Sequence, residues 1–190
     1  MQSIINLKAE KGLENGIKEK KGNPKKRKKS IVLETNKGNI TIELLSELAP
    51  KHCERILQLS KDRYFDDVVF HRVIEGFMAQ TGDGQYGSLK NGLEIDRAGM
   101  GGSDLPDLEA EFNSEPFARG IVGMARSQSP NSANSQFFIM LEESPHLNNQ
   151  YTAWGRVVKG MDVVDKIKKG DELDNGKVDN PDFIKTVKNV

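Results

Sequence analysis

Two stretches limit what this chain can fold into. Residues Phe70-His71-Arg72-Val73-Ile74-Glu75-Gly76-Phe77-Met78-Ala79-Gln80-Thr81-Gly82-Asp83 are largely apolar with a guanidinium and an amide set among them, and Asn134-Ser135-Gln136-Phe137-Phe138-Ile139-Met140 repeats the pattern. A strand buried in an ordinary core has no use for Arg72 beside Val73 and Ile74, or for Gln80 after Phe77 and Met78. Taking a charge or an amide out of water without partners is costly. The polar intruders therefore predict a site built on strands.

Side chains alternate between the two faces of a strand. On that period Phe70, Arg72 and Ile74 fall on one face, and His71 and Val73 on the other. Gln136 and Phe138 share a face, while Phe137 turns the opposite way, toward a core. An arginine, glutamines, a methionine and phenylalanines on one surface make an apolar pocket with fixed donors at its rim. Rotation about a prolyl peptide bond suits such a pocket. Its barrier is amide resonance, ~20 kcal/mol, and no covalent bond is made or broken in crossing it. An apolar wall can grip the proline ring, and a guanidinium near the proline nitrogen favours the twisted amide, whose lone pair is no longer shared with the carbonyl.

The first stretch resembles the signature of the cyclophilin-type peptidyl-prolyl cis-trans isomerases, and Ser135-Gln136-Phe137-Phe138-Ile139 resembles their second signature, in the same order along the chain. The resemblance runs from about Ser30 to Val190. It implies that Arg72 is the catalytic arginine, that Phe77, Met78, Phe138 and Leu147 wall the proline pocket, that Gln80 and Gln136 form its polar rim, and that Ala125 with Arg126 holds the peptide backbone. Two positions depart from the best-known eukaryotic members. His146 stands where they carry a tryptophan associated with cyclosporin binding, which argues against tight binding of that drug. Tyr151 stands where they carry a histidine, and its flat face and hydroxyl preserve a wall of similar kind. The segment Gly99-Met100-Gly101-Gly102-Ser103-Asp104-Leu105-Pro106 is similar to a bacterial-type loop that borders the substrate groove.

The remaining runs supply the scaffold. Ser30 to Thr35 and Ile40 to Leu44 read as a hairpin around Asn36-Lys37-Gly38-Asn39. Ala49-Pro50 starts a helix with Cys53, Ile56, Leu57 and Ser60 on one side, and Met161 to Ile167 forms a second, stopped by Gly170. Further strands are expected at Gly120–Ala125, Tyr151–Val158 and Phe183–Val190, with Trp154 in the core. The count is eight strands and two helices, the plan of a mainly β, closed antiparallel barrel capped at both ends, and the resemblance implies the same fold.

Charge divides the chain. Of 28 Lys or Arg and 28 Asp or Glu, residues 1–30 hold ten basic residues and three glutamates, leaving 18 and 25 for the remainder. Residues 1–29 are thus expected to be a disordered basic arm that contacts acidic surfaces or nucleic acid, and residues 30–190 a folded isomerase domain. No signal-peptide or membrane-spanning run is expected, which places a monomer in the cytoplasm, or in the nucleus for a eukaryotic source.

Other chemistries find little support. The single cysteine, Cys53, cannot form an intramolecular disulfide and reads as a buried thiol, and His71 reads as a satisfied structural histidine. The three histidines lack metal-ligand spacing, and Gly82-x-Gly84-x-x-Gly87 lacks the helix that a dinucleotide fingerprint requires. Neither metal nor cofactor is implied. Two functions remain: an isomerase acting on proline-containing polypeptides, or a module that binds them without turnover. A pure binder needs no guanidinium at the proline nitrogen, so Arg72 favours the enzyme.

Overall fold

The computed structural model describes residues 27–190, and the greater part of the expected basic arm, residues 1–26, lies outside the described residues. Nine strands and two α-helices follow in the order β1 (Ser30–Thr35), β2 (Gly38–Leu44), α1 (Pro50–Lys61), β3 (Val68–Val69), β4 (Arg72–Ile74), β5 (Met78–Thr81), β6 (Ile121–Met124), β7 (Phe137–Met140), β8 (Ala153–Lys159), α2 (Met161–Lys166) and β9 (Phe183–Asn189). All strand pairs are antiparallel, and the sheet order is β3-β9-β1-β2-β8-β6-β7-β5-β4.

The two end strands, β3 and β4, do not pair with each other. The sheet is therefore a nine-stranded, open, curled half-barrel, not the closed eight-stranded barrel expected from the sequence. The cause lies in the run from Val68 to Ile74, which breaks at Phe70-His71. There Val69 N donates to Gly87 O at 2.8 Å and Phe70 N to Asp182 O at 2.8 Å, so two loops take the backbone bonds that a continuous strand would have offered a neighbour. The break also rotates Phe70 off the face of Arg72. Phe70 is wholly buried in the interior cluster with Val73. The outer edge of β4 is covered by residues 170–178: Val73 N donates to Gly176 O, Gly170 N to Val73 O and Val178 N to His71 O. Such cover keeps an exposed strand edge from pairing with other chains.

The helices close the interior. Helix α1 begins with Pro50 and has no cap from Ala49; its first free amides, Lys51 N and His52 N, donate instead to the carboxylate of Glu111 at 3.2 and 2.8 Å. A carboxylate there also complements the positive end of the helix dipole. His52 Nδ1 meets the same carboxylate at 2.6 Å. Cys53, Ile56 and Leu59 enter the core, whereas Leu57, grouped with them by spacing, is only partly buried. Burial pushes the Cys53 thiol up to about 11, which leaves it a packing group. Helix α2 ends at Lys166, with Ile167 already extended, so Gly170 is not its stop signal.

Register decides which residues face where. In β5 and β7 the partners are Met78↔Met140, Ala79↔Ile139, Gln80↔Phe138 and Thr81↔Phe137. Ala79, Ile139 and Phe137 point into the interior with Trp154 and Phe65, while Met78, Met140 and Phe138 form a second apolar cluster with Phe117, Ile121 and Leu147 on the outer face. Phe137 anchors the interior by edge-on contacts with Phe65 and Trp154, at ring distances of 5.6 and 5.4 Å. Phe137→Ala should cost ~3–5 kcal/mol of unfolding free energy in chemical denaturation, and a loss below ~1 kcal/mol would show that the contact is not an anchor.

Candidate active site

Gly123 lies opposite Phe138 across β6 and β7, and a Cβ at that position would meet the Phe138 and Phe117 rings at 2.6 and 2.5 Å. Only a bare backbone lets Phe138 lie across the sheet, stacked on Phe117 at 5.8 Å with Tyr151 set edge-on at 5.6 Å. Phe77, Met78, Phe138, Leu147 and Tyr151 then wall one side of a cleft of about 630 Å³, with Arg72, Gln80, Ala125 and Arg126 around them. This volume suits a few residues of an extended peptide. Gln136 lines a smaller adjoining hollow together with Gly101, Met100 and Asn134. His146 is exposed beside the wall, its ring 6.0 Å from that of Phe77. The structure thus brings together every residue singled out from the two motifs.

Arg72 stands half-exposed in the cleft. Its Nε donates to Asn175 O at 3.0 Å, its Nη2 to Asn175 Oδ1 at 2.9 Å and its Nη1 to Gln80 Oε1 at 3.2 Å. All three acceptors are neutral. Burial lowers the Arg72 pKa from its ordinary value, against a smaller opposing effect of Tyr151, and a guanidinium so placed stays charged at neutral pH.

From Gln80 the chain of bonds continues. Gln80 Nε2 donates to Gln136 Oε1 at 3.1 Å, and Gln136 Nε2 to Gly101 O at 2.8 Å. Both ends dictate this polarity, since an arginine can only donate and a carbonyl can only accept. The relay therefore ends on the glycine-rich loop, and that loop is organised by one buried carboxylate. Asp83 Oδ1 accepts from Gln85 N and Tyr86 N, each at 3.0 Å, and Oδ2 from Gly99 N at 2.8 Å and Gly101 N at 3.0 Å. Four amides satisfy a charge that is wholly out of solvent. A Cβ at Gly101 would lie 2.3 Å from Asp83 Oδ1, which explains glycine there.

The peptide-binding segment is itself braced. Ala125 N donates to Gln136 O at 2.9 Å, so that amide is already engaged within the protein. Arg126 bonds Gln150 O at 2.8 and 3.0 Å and lies 4.7 Å over the Tyr151 ring, fixing the far wall.

The sequence reading missed the opposite lip. Ile95, Asp96, Asp174, Asn175 and Lys177 line the cleft, and Lys177 Nζ joins Asp96 at 2.5 Å. The dipeptide Asn175-Gly176 is a turn signal, but its proximity to Arg72 depends on pairing with distant β4. His71 also departs from expectation. It is buried against the loop and lines the cleft, yet neither ring nitrogen has a hydrogen-bond partner among the described residues.

Comparisons with known proteins agree with this geometry. Residues 30–189 match the family model described as cyclophilin type peptidyl-prolyl cis-trans isomerase/CLD. The chain is 57% identical to a probable peptidyl-prolyl cis-trans isomerase of Brucella suis over 155 residues, 82% of this chain and 79% of the relative. It is 40% identical to the peptidyl-prolyl cis-trans isomerase-like 3 protein of Gallus gallus over 140 residues, 74% of this chain and 82% of the relative. Among solved structures it is similar to a cyclophilin type peptidyl-prolyl cis-trans isomerase of Cryptosporidium parvum in the presence of the dipeptide Ala-Pro, with a TM-score of 0.70, 28% identity, and coverage of 83% of this chain and 96% of that one.

Burial lowers the His71 pKa to about 4, against the attraction of Asp83, so the fold favours the neutral ring. An unfolded chain protonates His71 near 6.5, and stability from this group is therefore complete above about pH 6.5 and is lost as the pH falls toward 4. Unfolding free energies of wild type and His71→Gln, measured from pH 7.5 to 4, should converge by ~3 kcal/mol on the acid side. Parallel pH profiles would contradict a neutral, buried His71.

Proposed function

Because the chain belongs to the cyclophilin-type peptidyl-prolyl cis-trans isomerases and accelerates rotation of X-Pro peptide bonds as they do, we propose a division of labour among its residues. Phe77, Met78, Phe138 and Leu147 receive the proline ring. Gln80, Gln136 and the Ala125-Arg126 backbone hold the flanking peptide, and Tyr151 completes the wall. Arg72 donates toward the proline nitrogen as the amide twists. In the planar ground state that nitrogen shares its lone pair with the carbonyl and is a poor acceptor; at the twist the lone pair is free, so the guanidinium binds the transition state better than the substrate. No proton is transferred and no covalent intermediate forms.

The observation that supports this assignment is a guanidinium that is charged, aimed by neutral acceptors only, and set beside an apolar wall. A carboxylate partner would neutralise the field where the amide needs it. Among the described residues no helix is long and apolar enough to cross a membrane. The same reading has the domain working as a monomer on proline-containing segments of other polypeptides, in the cytoplasm, with the basic residues 1–29 touching acidic surfaces or nucleic acid. The ten Lys or Arg against three Glu in residues 1–30 support that last point.

Losing one charge-assisted hydrogen bond to a transition state lowers a rate by about 10²–10³. Arg72→Ala should reduce kcat/KM for an Ala-Pro peptide by that factor, with the fold and the affinity for the peptide retained. Near-normal turnover in the variant would remove Arg72 from this role.

A further inference from the structure

We propose that Asn175 is a positioning residue for the catalytic guanidinium, selected because it can hold two of the three Arg72 donors without neutralising their charge. The inference rests on the role given to Arg72 above. Asn175 supplies two acceptors from one residue, its backbone carbonyl to Nε and its side-chain Oδ1 to Nη2. The two bonds define the plane of the guanidinium as well as its place, as a single contact could not. The third nitrogen, Nη1, is held by Gln80 Oε1 at 3.2 Å, on a residue that lines the same cleft.

The backbone makes this possible. Asn175 has φ 54° and ψ 33°, the left-handed conformation that asparagine tolerates better than most residues. It precedes Gly176, whose carbonyl accepts from Val73 N at 2.9 Å, one residue along β4 from Arg72. The turn is thereby stitched to the strand that carries the arginine. Asp171 caps it from the other side, with Oδ1 accepting from Leu173 N at 2.9 Å and its carbonyl from Gly176 N at 2.7 Å. Lys177, next after Gly176, reaches Asp96 at 2.5 Å and ties the turn to the glycine-rich loop where the Gln80-Gln136 relay ends. Arg72 is thus held between two loops that are themselves joined.

An aspartate at position 175 could offer the same acceptor geometry and tolerate the same backbone, yet it would pair the guanidinium with a full negative charge. The neutral amide therefore separates orientation from charge neutralisation, and each can be tested by itself. Asn175→Gly keeps the left-handed backbone and the carbonyl and deletes only Oδ1; Asn175→Asp keeps an acceptor and adds charge.

The test is a double-mutant cycle with Arg72→Ala on full-length protein, reading kcat/KM and kcat for an Ala-Pro peptide, peptide affinity and thermal stability. In the wild-type background Asn175→Gly should lower kcat about tenfold, with affinity within about twofold. Asn175→Asp should lower kcat at least as much while preserving stability. In the Arg72→Ala background, assayed at higher enzyme concentration, neither change should alter the residual rate. Wild-type turnover in Asn175→Gly, or an equal loss with and without Arg72, would overturn the positioning role. Wild-type turnover in Asn175→Asp would overturn the requirement for neutrality. If the unsubstituted protein failed to accelerate the peptide at all, the assignment of Arg72 itself would fall, an outcome distinct from either.

Discussion

A strand that must bury both of its faces cannot alternate apolar with polar residues, and the centre of this sheet is governed by that constraint. Strands β5, β6 and β7 fill the curl with Ala79, Val122, Phe137 and Ile139 on one side, and with Met78, Ile121, Phe138 and Met140 they build a wall on the other. The cleft is thus the outer face of the same strands whose inner face is the core. Stability and substrate contact are properties of adjacent residues: Phe137 packs on Trp154, and Phe138, its neighbour, stacks on Phe117 and meets Tyr151.

The polar residues on this apolar ground are held by two arrangements of opposite sign. Asp83 is a buried anion satisfied entirely by backbone amides, and Arg72 is a half-exposed cation satisfied by amide and carbonyl oxygens. Neither contact neutralises a charge with a counter-charge. For Asp83 the consequence is a loop of fixed shape, because moving it would leave a carboxylate without donors. For Arg72 the consequence is a positive field still available to a ligand. The Gln80-Gln136 relay couples the two, since it begins on the cation and ends on the loop that the anion organises.

Much of the site was legible in the sequence because its signals are local. Arg72 and Gln80 announce themselves by interrupting apolar runs, and period-two alternation separates Phe137 from Phe138, with the resemblance to the family signature assigning Phe138 to the pocket. The failures share a different physics. The break at Phe70-His71, which moves Phe70 inside and leaves the sheet open, is imposed by backbone groups of Gly87 and Asp182. Asn175 could be read as a turn but not as a neighbour of Arg72, because only the covering of the β4 edge brings them together. The need for glycine at position 101 is equally non-local, since the Asp83 carboxylate fills the space that a Cβ there would take. Alternation puts His71 off the arginine's face, yet it lines the same cleft as Arg72, and its lack of hydrogen-bond partners among the described residues depends on the loop packed over it.

The account turns on an oriented guanidinium rather than on positive charge alone, and Arg72→Lys separates the two. Lysine retains the charge but presents a flexible point donor without the planar fork that Asn175 and Gln80 engage. Measured as kcat/KM for an Ala-Pro peptide, the variant should fall most of the way to the Arg72→Ala level, about 10²-fold below wild type. Turnover within a few-fold of wild type would contradict the account and reduce the anchoring of Arg72 to a packing detail.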